Sequence, residues 1–165
     1  MTKINSDPAQ RSRRDALAII VAGAIAVLAA SARTHAAGLP GVTVTKDPNC
    51  GCCSGWVEHL RQAGFPVRVV ETSDLQPVKA RLGVPASLAS CHTAEVAGYV
   101  VEGHVPASAI TRLLREKPKA IGLAVAGMPI GSPGMEGEPV ETYDVVLFAP
   151  GHEQTFERYR GLQRL

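Results

Sequence analysis

Three of the four cysteines in this chain lie within four residues, Cys50-Gly51-Cys52-Cys53, and the fourth, Cys91, is followed directly by His92. Thiolates are soft ligands, which select copper(I), zinc or iron–sulfur clusters over hard cations. Cys50 and Cys53 also form a C-x-x-C pair, the spacing of redox-active dithiols. The cysteines therefore predict one of three chemistries: a thiolate metal site, thiol–disulfide exchange, or structural disulfides.

The number of cysteines favours metal binding over the other two chemistries. Thiol–disulfide exchange needs only the Cys50/Cys53 pair, so Cys52 and Cys91 are in excess of it. Structural zinc sites usually combine two C-x₂₋₄-C pairs, and this chain has one, so zinc is the less favoured metal. Crowded thiolates can each bridge two ions, which favours a site for more than one copper(I). A thiol–disulfide oxidoreductase that uses Cys50 and Cys53, and a disulfide-stabilised binding module, remain open alternatives.

Three further residues are secondary candidates for metal ligands. His92 adjoins Cys91 and is the best nitrogen donor, since metal sites normally have such side chains around them. Met128 and Met135 lie in a Gly/Pro-rich loop, residues 127–139, and carry soft thioethers, which remain able to bind metal in an oxidising compartment. His104 is a weaker candidate, and we expect it to have a structural role.

The N-terminal segment has the layout of an export signal. Four basic residues within residues 1–15 precede an uncharged run, residues 16–32, and then the small-residue stretch Thr34-His35-Ala36. This order is typical of a secretory signal peptide, predicted here over residues 1–36. The stretch Ser12–Leu17 contains an Arg pair that is also typical of twin-arginine signals in bacteria. We expect export to the bacterial periplasm and no membrane attachment after the signal is cleaved.

The remaining residues, 37–165, are predicted to form one domain. They contain 12 basic and 13 acidic residues and carry a formal charge of −1, although the whole chain is +2. The basic excess therefore belongs to the signal peptide, and the domain lacks the clustered Lys and Arg that nucleic-acid binding requires. A domain of this length can bury a core without disulfides to stabilise it.

The order of predicted elements favours an α/β or α+β sandwich with a central sheet. Because the C-x-x-C falls at a strand-to-helix junction, the fold predicted is α/β, a thioredoxin-like sandwich with a central mixed sheet and flanking helices. Strands are predicted at 42–45, 67–70, 97–101, 121–125, 143–149 and 154–160. Helices are predicted at 53–63, at 76–82 after a capping box formed by Ser73 and Gln76, and around Ile110, Leu113 and Leu114. In this arrangement the C-x-x-C stands at a strand-to-helix junction, where the helix dipole favours a thiolate.

Several blocks of sequence carry a family resemblance. They are Lys46-x-x-x-Cys50-Gly51-Cys52-Cys53-x-x-Trp56-x-x-His59-Leu60, Cys91-His92-Thr93-Ala94, Gly98–Pro106 and Gly122–Glu136. Together these blocks resemble the small exported copper-resistance proteins of the CopG type over nearly all of residues 42–160. Ala126 departs from the pattern, since a Pro is expected before the Gly-Met-Pro run.

The resemblance has specific implications for fold and function. It implies a thioredoxin-like fold and a cysteine-bridged multinuclear copper cluster in the periplasm, with other periplasmic copper proteins as possible partners. The residues that it implies as copper ligands are Cys50, Cys52, Cys53 and Cys91.

Overall fold

The computed structural model describes residues 38–165. The predicted signal peptide, residues 1–36, lies outside the described residues. Leu39–Leu165 form a compact unit. Within residues 38–165, no helix has both the length and the apolar character needed to cross a membrane.

The described residues form eight strands, three α-helices and one short 3₁₀ helix. In chain order these are β1 (Val42–Lys46), α1 (Gly51–Gln62), β2 (Val67–Glu71), α2 (Gln76–Arg81), the 3₁₀ helix (Ala86–Leu88), β3 (His92–Val96), β4 (Tyr99–Glu102), α3 (Ala107–Glu116), β5 (Gly122–Ala124), β6 (Thr142–Ala149), β7 (His152–Arg160) and β8 (Gln163–Arg164).

All eight strands belong to one open mixed sheet with the order β2-β1-β3-β4-β5-β6-β7-β8. The β1/β2 and β4/β5 pairs are parallel, and the other neighbours are antiparallel. This arrangement confirms the prediction of an α/β domain built on a mixed sheet.

The elements differ from the prediction mainly around the cysteines. Strand β3 was not predicted, and it begins immediately after Cys91. Ala97 and Gly98, predicted to start a strand, instead form the turn between β3 and β4. Helix α1 begins at Gly51 rather than at Cys53, so Cys52 lies inside its first turn.

The predicted capping box before α2 is absent. The N-cap of this helix is Leu75, without a side-chain hydrogen bond. The Asp74 carboxylate instead accepts a hydrogen bond from the backbone N–H of Gln76. An Asx-type turn therefore satisfies the donor that the predicted capping box was expected to serve.

The sheet register brings the two cysteine-bearing segments together. Strand β1 ends at Lys46, and its antiparallel neighbour β3 begins opposite that residue, at His92. The chain leaves β1 toward Cys50 and enters β3 from Cys91, so both segments lie at the same end of the sheet. Helix α1 then packs its buried face, which includes Trp56 and Leu60, onto the core of the sheet.

Candidate metal centre

The first turn of α1 presents three sulfurs in different environments. Cys50 is the N-cap residue, in an extended conformation. Cys53 lies on the buried face of the helix and is 0% exposed, whereas Cys52 is half-buried. Successive side chains on an α-helix point about 100° apart, which explains why the adjacent cysteines Cys52 and Cys53 face different surroundings.

The four sulfurs converge on one place. All four Sγ atoms lie within 4.8 Å of one another. The Cys52 Sγ is 3.4 Å from the Cys50 Sγ and 3.9 Å from the Cys91 Sγ. The Cys53 Sγ is 3.7 Å from the backbone oxygen of Cys91. We call this group, Cys50, Cys52, Cys53 and Cys91, the cysteine cluster.

The cysteine cluster contains one disulfide and two thiols. Cys50 and Cys53 are bonded to each other, and Cys52 and Cys91 are free. The structure therefore does not pair all four cysteines, as two structural disulfides would require. Reduction of the Cys50–Cys53 bond by two electrons and two protons would convert the cluster into four thiols, and a thiol must lose its proton before it can bind a metal.

The Cys91 side chain is held as a protonated thiol. Burial, and then the neighbouring sulfur of Cys52, raise the pKa of Cys91 to about 12. The helix dipole was expected to favour thiolates at this junction, but Cys91 precedes β3 and is not on helix α1. A cation bound in the cluster would supply the missing positive charge, since metals favour the deprotonated form of their thiol ligands.

His104 lies against Cys91, although its expected role was structural. Its Nε2 is 3.1 Å from the Cys91 Sγ. Its Nδ1 is 2.8 Å from the backbone oxygen of Pro133, and since a carbonyl can only accept, Nδ1 carries the proton. Burial lowers the pKa of His104. The ring is therefore neutral, and the lone pair of Nε2 faces the sulfur, which is the state in which imidazole binds metals.

The position of His104 follows from the β3–β4 hairpin. Thr93 of β3 pairs with Glu102 of β4, so the residue preceding β3 and the residues following β4 lie at the same end of the hairpin. Recognition of β3 in the sequence would have placed His104 beside Cys91. The strand was missed because it is central and buried at four of its five positions, so it lacks a clear alternating pattern.

His92 also borders the cysteine cluster. Its Nδ1 is 3.4 Å from the Cys91 Sγ, and its ring lies 4.4 Å from the Trp56 ring. The side chain is fully buried, and its Nε2 has no hydrogen-bond partner among the described residues. Burial lowers the pKa of His92 well below its usual value. Cys91, His92 and His104 thus form a second group of potential ligands, which shares one sulfur with the cysteine cluster.

The Gly/Pro-rich loop packs on the first turns of α1. A Cβ on Gly134 would lie 2.5 Å from the backbone oxygen of Cys52 and 2.6 Å from the nitrogen of Trp56, so the two backbones approach as closely as glycine allows. The same loop presents Pro133 to His104. Met128 is 54% exposed and Met135 is half-buried. The loop therefore borders the candidate centre through Pro133 and Gly134, and the role of the two methionines stays a prediction.

Comparisons with known proteins agree on one group of relatives. A family model described as "Protein of unknown function, DUF411" matches residues 88–135. Two solved structures described as "Copper resistance protein copG", Form 1 and Form 2, share 44% sequence identity with this chain. Form 2 covers 73% of this chain and 98% of its own, with a TM-score of 0.69. Form 1 covers 74% and 99%, with a TM-score of 0.70. No curated protein matches the chain.

Proposed function

Because this chain belongs to the CopG family of copper resistance proteins, we propose that it is an exported protein that binds copper(I) through the cysteine cluster. The role proposed is copper tolerance or copper handling in the bacterial periplasm. The observation that carries the proposal is the convergence of four sulfurs within 4.8 Å of one another. Soft sulfur donors favour copper(I), and binding by several thiolates holds the ion away from oxygen chemistry.

The crowding of the sulfurs supports a site for more than one copper ion. With each thiolate able to bridge two ions, four sulfurs can serve several copper(I) ions at once. A structural zinc site instead usually takes its four ligands from two C-x₂₋₄-C pairs, and this chain has one such pair. We therefore propose copper(I) rather than zinc as the cargo.

The redox state of the cluster sets a condition for loading. The Cys50–Cys53 disulfide leaves only two thiols, so four-sulfur binding requires a thiol reductant that supplies two electrons. Two protons are taken up in that step, and protons are released again as the thiols bind copper. The oxidised and reduced forms of one protein therefore differ in copper capacity.

Four side chains outside the cluster are proposed as further donors. His104 is the strongest, since its Nε2 lone pair faces Cys91. The Nδ1 of His92 is 3.4 Å from the same sulfur. The thioethers of Met128 and Met135 are soft enough to receive copper(I) from solvent or pass it to other periplasmic copper proteins.

A proposed thioredoxin-like ancestry accounts for the scaffold. Its support is the succession of a parallel β1-α1-β2 unit and an antiparallel β3-β4-α3 unit, with the C-x-x-C at the β1-to-α1 junction. In this arrangement the residue before β3 faces the C-x-x-C, which is where Cys91 stands.

Anaerobic copper(I) titration against a competing chelator tests the proposal. Reduced protein is expected to bind more than one copper(I) ion tightly, and protein that retains the Cys50–Cys53 disulfide is the matched control with lower capacity. Cys52→Ser and Cys91→Ser should each lower the stoichiometry. Absence of tight binding, or a stoichiometry that these substitutions leave unchanged, contradicts the proposal.

Thiol–disulfide exchange is a second candidate function, favoured by the disulfide within the C-x-x-C at the start of α1. It uses only Cys50 and Cys53. Insulin reduction by the protein should then survive Cys52→Ser and Cys91→Ser and disappear in Cys50→Ser. If copper is the cargo, the same Cys52→Ser substitution instead changes metal binding.

A further inference from the structure

An ion pair is buried beside the segment that carries Cys91. Lys79 of α2 and Glu102, the last residue of β4, are 5% and 0% exposed. The Lys79 Nζ is 2.5 Å from the Glu102 Oε1. Desolvation makes such pairs costly, and apolar residues of similar volume often replace them without loss of stability. Stability alone therefore gives little reason for this pair.

The Glu102 carboxylate binds the backbone next to Cys91. Its Oε1 accepts a hydrogen bond from the backbone N–H of Ser90 at 2.6 Å. Its Oε2 accepts one from the Thr93 hydroxyl, also at 2.6 Å. Lys79 donates to that same hydroxyl oxygen at 2.9 Å. Charge-assisted bonds of this kind are the short, strong class of hydrogen bond.

These contacts hold the chain on both sides of the Cys91–His92 dipeptide. Ser90 precedes the dipeptide and Thr93 follows it, and both are hydrogen-bonded to the Glu102 carboxylate. A second restraint acts on Ser90, whose hydroxyl donates to the backbone oxygen of Gly127 at 2.5 Å. With the chain held in this way, the Cys91 Sγ lies 3.9 Å from the Cys52 Sγ and 3.1 Å from the His104 Nε2.

Gly103 closes the remaining side of this segment. A Cβ at position 103 would lie 2.6 Å from the Ser90 Cβ and 2.5 Å from the backbone oxygen of Val125. Ser90 is therefore packed against backbone as well as hydrogen-bonded, and the segment has little room to shift.

We propose that Glu102 is a positioning residue for Cys91, and that Lys79 and Thr93 hold its carboxylate in place for that task. The ion pair with Lys79 fixes the Glu102 carboxylate where it accepts a hydrogen bond from the Ser90 N–H. That bond in turn positions the sulfur of Cys91, which does not lie on or next to α1. This inference rests on the proposed copper function, because the task is to complete the cysteine cluster.

Two double variants separate the acceptor from the charge. Lys79→Met with Glu102→Leu, the Leu variant, removes the acceptor and both charges and fills the space with apolar groups; the second double variant is called the Gln variant. Lys79→Met with Glu102→Gln removes both charges but keeps an amide oxygen that can accept from Ser90. The matched control is Arg81→Met with Glu95→Leu, since this exposed pair joins the same helix and β3 at 3.1 Å.

Copper(I) competition on the reduced, metal-free protein is the first measurement. The Leu variant is expected to bind copper(I) at least tenfold more weakly than the wild type, or about 1.4 kcal/mol. The Gln variant and the control pair should stay within about threefold of the wild type. Unchanged affinity in a folded Leu variant overturns the proposal, and so does a Gln variant as weak as the Leu variant.

A metal-free measurement keeps this inference separable from the copper function. In the protein with the Cys50–Cys53 disulfide intact, diamide oxidation should join Cys52 and Cys91, whose sulfurs are 3.9 Å apart. The rate, followed by mass spectrometry, should fall at least tenfold in the Leu variant and recover in the Gln variant. If the wild type binds no copper, the proposed function fails, and these rates still decide whether Glu102 positions Cys91.

A measurement on the wild type covers the case in which the Leu variant does not fold. The Ser90 amide proton should exchange slowly with solvent in metal-free protein, because it is bonded to a buried carboxylate. Exchange as fast as that of an exposed loop amide overturns the proposal.

Discussion

Substituting Gly134 by alanine tests whether the Gly/Pro-rich loop supports the candidate metal centre. Gly134 has φ +82°, a left-handed conformation that costs an L-residue about 1–2 kcal/mol. The new Cβ would also lie 2.5 Å from the Cys52 oxygen and 2.6 Å from the Trp56 nitrogen. Both atoms belong to the backbone of α1, which cannot yield without breaking helical hydrogen bonds, so the loop must move.

Movement of the loop has a cost at the centre itself. Relief of the overlap requires a shift of about 1 Å, since nonbonded carbon contacts are about 3.5–4.0 Å. Such a shift stretches the 2.8 Å bond between the His104 Nδ1 and the Pro133 oxygen. An unsatisfied buried donor costs about 1–3 kcal/mol. We therefore expect Gly134→Ala to lower the free energy of unfolding by about 2–5 kcal/mol.

Gly127→Ala is the matched control, because Gly127 lies in the same loop at φ +68° and a Cβ added there would have no neighbour within 4 Å. It should cost only the left-handed strain, about 1–2 kcal/mol. Urea unfolding of the metal-free protein measures both variants, and copper(I) competition should show weaker binding in Gly134→Ala alone. Equal losses in the two variants refute the contact between loop and helix as the cause.

Three further outcomes test the interior. Burial lowers the pKa values of His92 and His59, so this contribution to stability is complete above about pH 6.5 and is lost as the pH falls, because the unfolded chain then takes up protons that the folded chain does not. The urea concentration at the unfolding midpoint of metal-free protein should therefore decrease when the pH is lowered from about 7 to about 5, and an unchanged midpoint contradicts this. Trp56→Phe removes the 2.8 Å bond to the Val105 oxygen and should cost about 1–3 kcal/mol in urea unfolding. Leu123→Ala, at a fully buried position, should lower the thermal midpoint with a loss of about 2–5 kcal/mol, and a loss under about 1 kcal/mol contradicts its placement in the core.

The secondary structure was predictable where the local pattern is strong. Strand β1 alternates apolar Val with polar Thr, all of them β-branched, and α1 carries Trp56 and Leu60 on one face at helical spacing. The ends of both elements were therefore predicted to within two residues. Strand β3 was missed because a central strand buried on both faces does not alternate. The capping box at Ser73 was wrong because Asp74 competes for the same backbone donor.

The candidate site was predictable in its sulfurs and not in its nitrogens. The cysteines could be identified from residue type and spacing alone, since three thiols within four residues have few structural uses. His104 has no such signal, and its nearness to Cys91 depends on the register of a hairpin whose first strand was not recognised. The disulfide between Cys50 and Cys53 was one of several pairings that the sequence left open.

The sequence by itself determined the chemistry available to this protein, because ligand softness and residue type are properties of side chains wherever they lie. Only the tertiary structure decided which of these side chains lie close enough together to act on one ligand. Antiparallel pairing of β1 and β3 brings Cys91 to the helix that bears the other sulfurs. Burial raises the pKa of that thiol and lowers the pKa values of the neighbouring imidazoles, His92 and His104. Distances and desolvation arise from contacts between residues far apart in the chain, and no local pattern encodes them.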